Sequence, residues 1–385
     1  MSKITVGVIF GGRSVEHEVS LLSAKSIIRN IDTGKYEISP IFIEKSGMWR
    51  RASVSSWLED GGLEFSGDSF LSPSLNPLNP VFYEISGREL ISEHKVDVIF
   101  PVLHGTYGED GTVQGMFELM GIPYVGASVL GSSVGMDKIV MKALLKDSGL
   151  PVPEYVGFYK SDWESGKKQL GARILKEIGL PCFVKSANLG SSVGITKVKS
   201  KDELPGAVDY SCRFSGRVIV ERAVKKPREI EVSVLGNDDP QASCPGEVVP
   251  HREFYDYTAK YLEEGTGLIA PAELDRETAE RLRDYAVRTF RALVCSGMGR
   301  VDFLLEDGTN EIFVSEINTI PGFTQISMYP RLWGVSGVSF PELVNRLIEL
   351  AIERRRQADG LESDFSEIGR KDSSRFMDIT APLIN

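Results

Sequence analysis

Glu316 and Asn318 stand two positions apart in VSEINTIPGFTQIS (314–327), an apolar, strand-like run that breaks at Pro321-Gly322. A core strand gains nothing from them, because an unpaired buried carboxylate is costly. Folding the run back on VDFLLEDGTNEIF through a turn at Gly308-Thr309-Asn310 sets Asp307 opposite Glu311, Asp302 opposite Glu316 and Arg300 opposite Asn318. Val301 then faces Ile317 and Leu305 faces Phe313 on an apolar side. Opposed Cβ atoms are only about 4.5–5.5 Å apart, so like charges there repel and a cation would relieve them. Two carboxylates and an amide oxygen are hard ligands suited to Mg²⁺ that also holds phosphates. A surface hairpin with a solvated polar face is the plainer alternative. Pro321-Gly322 would turn the chain back over the site, where backbone N–H groups can meet developing negative charge.

A phosphate partner needs its own cradle. Gly34-Lys35 and Gly166-Lys167 lack the following Ser or Thr and the upstream glycine of a P-loop. GTGLIA (265–270) fits a dinucleotide pattern but follows KYLEE rather than an apolar strand. FVKSANLGSSVGI (183–195) is better, since two β runs flank a loop carrying Lys185, Gly190, Ser191, Ser192 and Gly194. Its glycines let backbone N–H groups close on phosphate oxygens, and Lys185 adds a point charge. An ordinary Ser/Gly hairpin turn fits that spacing equally well. REFYDYTAKY (252–261) packs three tyrosines and a phenylalanine beside Lys260, and its interleaved charges suit a lid over a charged ligand. Glu16 and His17 follow Gly11-Gly12, where a first-strand loop would meet a ligand.

The elements that must position these residues read as α/β. ITVGVIF (4–10), a helical spacing at 21–31 and ISPIFIE (38–44) give a β-α-β start, and VDVIFPVL (96–103) returns to buried strand. Residues 46–92, rich in Ser, Gly, Pro and Asn, read as an irregular insertion. A helix over 137–148 ends at Gly149 with Pro151 and Pro153 beyond, a natural boundary. A helix near 164–178 and three β runs then suggest a small antiparallel domain. EIEVSVLG (229–236), a helix at 275–295, the acid hairpin and FPELVNRLIELAIERRR make a third region. The expected units are 1–130, 131–228 and 229–356, with 357–385 a loosely ordered polar tail.

Apolar residues make up 42% of the 385 residues and charged residues 25%, an ordinary balance for a globular chain. The net charge of −10 and the want of a basic stripe argue against nucleic acid. No stretch approaches the roughly 18–20 apolar residues of a membrane span. The opening segment lacks a signal peptide's features, and four scattered cysteines fit a reducing compartment. These point to the cytoplasm.

Taken in order, GGRSVEHEVS, HGTYGEDGTVQG, MDK, VKSANLGSSVG, KPREIEV, FYDYTAKY, GRVDF and EINTIPGFT closely resemble the motifs of the D-alanine–D-alanine ligases, members of the ATP-grasp superfamily. The resemblance runs from about residue 4 to 352. It implies a three-domain ATP-grasp fold, with ATP held between the central and C-terminal sheets, and a homodimer. It also implies that ATP phosphorylates one D-alanine carboxylate, the amine of a second attacks the acyl phosphate, and phosphate leaves to give a dipeptide for peptidoglycan.

By the same resemblance, Glu16 binds the ammonium of the first D-alanine, with His104 near its carboxylate. Ser191 and Tyr261 join Glu16 in a hydrogen-bonded group. Lys138 and Lys185 meet the phosphates and the adenine side, Ser192 belongs to the phosphate cover, and Lys260 lies over the γ-phosphate. Glu221, Arg222, Val224 and Glu229 bracket adenine and ribose. Asp302, Glu316 and Asn318 hold two Mg²⁺ ions, with Mn²⁺ as a substitute. Arg300 and the Gly322 N–H stabilise the oxyanion, while Ser327 and Met328 line the second D-alanine subsite. Ser186 stands where proline is common, Arg222 replaces a frequent lysine, and Met328 stands where leucine also occurs. Tyr261 favours a dipeptide product over D-alanyl-D-lactate. The rivals are an ATP-grasp ligase of another carboxylate and amine, such as D-alanine–D-serine, and a non-catalytic nucleotide-binding protein of the same fold.

Overall fold

The computed structural model describes residues 3–190, 194–249 and 267–361. It opens with β1 (Ile4–Gly11), α1 (His17–Asn30) and β2 (Tyr36–Ile43), as the β-α-β pattern predicts. Next come β3 (Trp49–Ser53), the single turn α2 (Ser55–Leu58), β4 (Glu64–Phe65), β5 (Phe70–Pro73), β6 (Val81–Ser86), β7 (Glu89–Lys95) and β8 (Val98–Val102). β1 pairs in parallel with β2 and β8 in a sheet of order β4-β3-β2-β1-β8. Successive side chains of a strand point to opposite faces. Accordingly Val6, Val8 and Phe10 enter a core with Ala24 and Ile27 of α1, while Ile9 enters another with Val113, Phe117 and Met120 of α3 (Thr112–Met120).

Residues 46–92 are not the irregular insertion their composition predicts. They supply β3 and β4 to the first sheet, and β5, β6 and most of β7 form a three-stranded antiparallel sheet. Strands this short show little alternation. Their propensity is realised only through tertiary packing, as where Trp49 of β3 stacks on Phe82 of the neighbouring sheet.

α4 (Val129–Met136) and α5 (Lys138–Asp147) lead to the second sheet. Asp137 caps α5 by accepting from the Ile139 and Val140 N–H groups. β9 (Tyr155–Tyr159), α6 (Lys160–Glu177), β10 (Cys182–Ser186), β11 (Thr196–Val198), α7 (Leu204–Ser211) and β12 (Arg217–Arg222) follow. Their strands run antiparallel in the order β11-β10-β12-β9. Val184, Val218 and Val220 pack on Trp163, Ile174 and Val208 from α6 and α7. The alternate positions Lys185 and Glu221 therefore lie on the opposite face, where Lys142 of α5 meets Glu221.

The third sheet holds β13 (Pro227–Gly236), β14 (Gln241–Ala242), β15 (Gly246–Val249), β16 (Gly267–Ile269), β17 (Gly297–Glu306) and β18 (Ile312–Asn318). α8 (Arg276–Ala292) covers one face through Leu282, Ala286 and Phe290. α9 (Met328–Val335) and α10 (Phe340–Asp359) complete the described chain. α10 continues two residues past 357, where the tail was expected to begin, and the rest of that tail beyond 361 lies outside the described residues. Leu343, Val344, Leu347, Ile348 and Ala351 of α10 share the core of Val6, Val8 and Ile27. Each such buried valine, leucine or isoleucine contributes about 1.5–3 kcal/mol. The last helix thus packs on the first sheet, and the loop after β18 is held beside the carboxyl ends of β1 and β8. Among the described residues, no helix is long and apolar enough to cross a membrane.

Candidate active site

The acid hairpin forms with Arg300 paired to Asn318, Val301 to Ile317 and Asp302 to Glu316, as the sequence predicts. Beyond Asp302 the predicted register fails. A bulge at Ser315 puts Phe303 opposite Val314, Leu304 opposite Phe313 and Leu305 opposite Ile312, not Phe313. The turn closes with Glu306, rather than Asp307, bonded to Glu311, whose carbonyl accepts the Glu306 N–H at 2.8 Å. The physical reason is parity. Under strict alternation Ile312, Val314, Glu316 and Asn318 would share one face. The extra residue sends Ile312, Val314 and Ile317 into the core and leaves Glu316 and Asn318 on the other side.

On that side Glu231 of β13, Asp302 of β17 and Glu316 of β18 stand in one row across three strands. Arg300 grips Asp302 through two bonds of 2.7 Å and lies 3.1 Å from Glu231. Asn318 donates to Asp302 at 2.9 Å, and Lys138 lies 3.2 Å from Glu316. Among the described residues, no three His, Cys, Asp or Glu side chains cluster as a self-sufficient metal cage. Three carboxylates and the Asn318 amide thus share this side, with Arg300 beside Glu231 and Asp302 and Lys138 beside Glu316.

The loops after β1 and β8 bring Glu16 and His104 to the same cleft. Gly105 has φ +74°, and a Cβ there would fall 2.6 Å from Glu16 Oε2 and 2.7 Å from Ser14 Oγ, so glycine is required. His104 Nδ1 donates to the Ile320 carbonyl at 2.9 Å. That leaves Nε2 to accept from Ser23 Oγ, at 3.2 Å, while the Phe323 N–H donates to the same oxygen at 3.1 Å. Burial lowers the His104 pKa, against the pull of Glu16, so the ring is held neutral in one tautomer. Glu109 accepts the Gly105 N–H at 2.7 Å and the Ile320 N–H at 3.0 Å. Burial, with Glu16 nearby, pushes its carboxyl up to about 8. His17 turns away to the Gly12 carbonyl, 2.8 Å off, and serves the local fold.

A second charged group lines the face of the second sheet. Lys185 donates to Glu221 at 2.8 Å, and Lys142 lies 3.3 Å from its other oxygen. Burial opposes the Glu221 charge, but Lys142 and Lys185 outweigh it and hold the carboxyl down at about 2. Lys138 donates to the Leu189 carbonyl at 2.9 Å, just before the Ser/Gly loop. Glu221 and Lys185 lie on adjacent strands, with Val224 and Glu229 half-buried nearby along the chain. The Arg222 side chain leaves the cleft to pair with Glu154. Its backbone N–H donates to the Glu154 carbonyl at 2.8 Å.

The Pro321-Gly322 turn runs into Ser327, whose Oγ accepts the Thr324 N–H at 3.0 Å. A Cβ at Gly322 would press on that oxygen at 3.0 Å. A cavity of about 520 Å³ unites Glu16, His104, Glu109, Glu231, Arg300, Glu316, Asn318, Gly322, Ser327 and Met328. Ser191, Ser192, Lys260, Tyr261 and the expected lid at 252–261 lie outside the described residues. Sequence reading missed Ser23, Glu109, Lys142 and Glu231. Glu109 sits inside the GEDG stretch already singled out, and Glu231 follows Glu229 on the same strand face. Ser23 and Lys142 carry no local signal, since each acts on residues far along the chain.

A row of acids on the third sheet, with Lys138 beside Glu316 and the Lys142–Glu221–Lys185 group at the second sheet, fits a nucleotide-dependent ligase of the ATP-grasp fold. A family model described as D-ala D-ala ligase N-terminus matches residues 5–127, and one described as D-ala D-ala ligase C-terminus matches residues 144–349. A D-alanine–D-alanine ligase of Natranaerobius thermophilus is 46% identical over 95% of this chain and 100% of its own length. One of Bacillus cytotoxicus is 45% identical over 93% of this chain and 98% of its own. The D-alanine-D-alanine ligase structure from Coxiella burnetii superposes with a TM-score of 0.82 at 35% identity, covering 96% of this chain and all of that one. The VanG D-Ala:D-Ser ligase from Enterococcus faecalis gives 0.80 at 38% identity, covering 91% of this chain and 100% of that one. The chain belongs to the D-alanine–D-alanine ligase family.

Proposed function

We propose that this chain joins two D-alanine molecules into D-alanyl-D-alanine at the expense of ATP, releasing ADP and phosphate for peptidoglycan precursor synthesis. The observation that carries the reading is the row of Asp302 and Glu316 with Arg300 and Asn318, facing a cavity that Glu16 and His104 close from the first sheet. A carboxylate oxygen of the first D-alanine attacks the γ-phosphorus and ADP leaves. The amine nitrogen of the second then attacks the acyl carbon, and the tetrahedral intermediate expels phosphate and a proton.

Glu16 takes the first ammonium, and the neutral His104 ring borders its carboxylate. Arg300 and the Gly322 N–H meet the oxyanion, acting where charge develops rather than where it already exists. Ser327 and Met328 shape the second subsite. Lys138, Lys185 and Lys260 neutralise phosphates, and Ser191, Ser192 and Tyr261 close the site over Glu16. Glu221, Arg222, Val224 and Glu229 border the nucleoside. Asp302, Glu316 and Asn318 fit Mg²⁺ or Mn²⁺ by their oxygen chemistry, and two such ions would supply charge neutralisation for phosphoryl transfer. A division into units 1–130, 131–228 and 229–356, a homodimeric assembly and a place in the cytoplasm complete the reading.

The test is phosphate release from ATP and Mg²⁺ with D-alanine, L-alanine, or D-alanine paired with D-serine or D-lactate, with products identified by mass. Release with D-alanine alone, giving its dipeptide, is expected. The likeness to a D-Ala:D-Ser ligase favours one second reading, and D-alanyl-D-serine as the preferred product would establish it instead.

A further inference from the structure

Lys142 is a buried charge to which the catalytic reading gives no task. It lies on α5 with its side chain wholly out of solvent, where lysine is almost never found unless paired. Its ammonium stands 3.3 Å from Glu221 Oε1 and donates to the Ser315 carbonyl at 3.1 Å, with the Val314 carbonyl at 3.4 Å. Ser315 is the extra residue of the β18 bulge. Bulged residues drop out of the ladder, so their carbonyls need another donor. An ammonium has three donors and no acceptor, which suits one carboxylate and two carbonyls at once. The bulge also turns Glu316 away from the core while Val314 stays in it.

We propose that Lys142 is a positioning residue that ties this bulge to Glu221, so that the acid hairpin and the carboxylate beside Lys185 keep one geometry. The inference rests on the ATP-dependent reading above. Lys185 donates to Glu221 and Lys138 lies beside Glu316, whereas Lys142 meets Glu221 and the Ser315 carbonyl of the bulge together. Methionine at 142 would fill the volume yet leave Glu221 Oε1 without its nearby ammonium and the Ser315 and Val314 carbonyls without this donor.

The experiment compares wild type, Lys142→Met, Lys142→Arg, Glu221→Gln and the Lys142→Met/Glu221→Gln pair by steady-state kinetics and thermal unfolding. Lys142→Met is expected to raise the KM for ATP and lower kcat by about 10–100-fold each, as loss of an orienting partner does. The KM for D-alanine is expected to stay within about threefold, and Lys142→Arg to recover part of the loss. Adding Glu221→Gln should cost less in the Lys142→Met background than alone, because the two act on one interaction. A Lys142→Met enzyme that melts earlier but keeps its ATP KM and kcat within about twofold overturns the proposal, as do strictly additive effects. Should Lys142→Met not fold, the paired variant is compared with Glu221→Gln: a further fall in kcat within about threefold supports the shared interaction, and a further fall of the full ~10–100-fold overturns it. Wild type with no phosphate release would refute the ligase reading itself, whereas active wild type beside an indifferent Lys142→Met refutes only the role of Lys142.

Discussion

Asp302 and Glu316 stand directly opposite each other across β17 and β18, yet each is balanced by a different cation, Arg300 for the first and Lys138 for the second. Those cations come from different parts of the chain: Arg300 from the strand itself, Lys138 from the helix that leads to the second sheet. Each acid thus faces its own cation at a place where two like charges would otherwise repel.

Glu316→Gln keeps the shape and removes the charge. Phosphate release should fall on the order of 100-fold or more, while circular dichroism and melting stay near wild type. Chelation of divalent ions should abolish release in the wild type, and added Mg²⁺ should restore it. Near-normal turnover in the variant would refute the role given to the opposed acids.

Gly105→Ala puts a Cβ against Glu16 Oε2 and Ser14 Oγ at a φ of +74°. The strained backbone should cost about 1–3 kcal/mol, and the displaced Glu16 should raise the KM for D-alanine. Gly115→Ala in α3, where nothing lies within 4 Å, is the control. It should be neutral or stabilising by about 0.5–1 kcal/mol. Equal effects at the two glycines would show that crowding at Glu16 is unimportant.

Ser23→Ala removes the donor to His104 and the acceptor of the Phe323 N–H. Leaving these buried groups unmatched should lower unfolding free energy in urea by about 1–3 kcal/mol. Because the loop carrying Gly322 is anchored through Phe323, kcat should fall as well. A variant with unchanged stability and kcat would mean that the loop is held by other contacts.

Glu84, in the three-stranded sheet, is held at about 2 by Ser69 above all, against burial, with His94 and Ser92 adding to the effect. Its folded pKa lies below the ordinary 4.5, so the folded state binds fewer protons there and gains stability above that value. This contribution is lost as pH falls from about 4.5 toward 2. Glu84→Gln should therefore be destabilised near neutral pH, on the order of 1–3 kcal/mol, with the gap closing on acidification. A gap that stays constant in urea titrations from neutral pH to about 3 would contradict the assignment.

The sequence by itself determined much of this protein. The buried strands of the first sheet, the three β runs of the second and the pairing of Asp302 with Glu316 follow from apolar runs and alternation, which are local. Glu16, His104, Lys138, Lys185 and Arg300 were expected together because each sits in a motif of the family resemblance, and folding brings Glu16, His104 and Arg300 to one cavity. Only the tertiary structure decided the rest. The strands within 46–92 exist because their partners supply what their own composition does not, as with Trp49 on Phe82. The bulge at Ser315 is invisible to alternation because its reason lies elsewhere. The core needs Ile312 and Val314 on the same side as Ile317, and Lys142, 173 positions before Ser315, donates to the carbonyl it displaces. Ser23 is likewise fixed by residues 81 and 300 positions away. Local patterns set which residues face inward, but a buried polar group's partner is chosen by whatever the packed elements bring within about 3 Å.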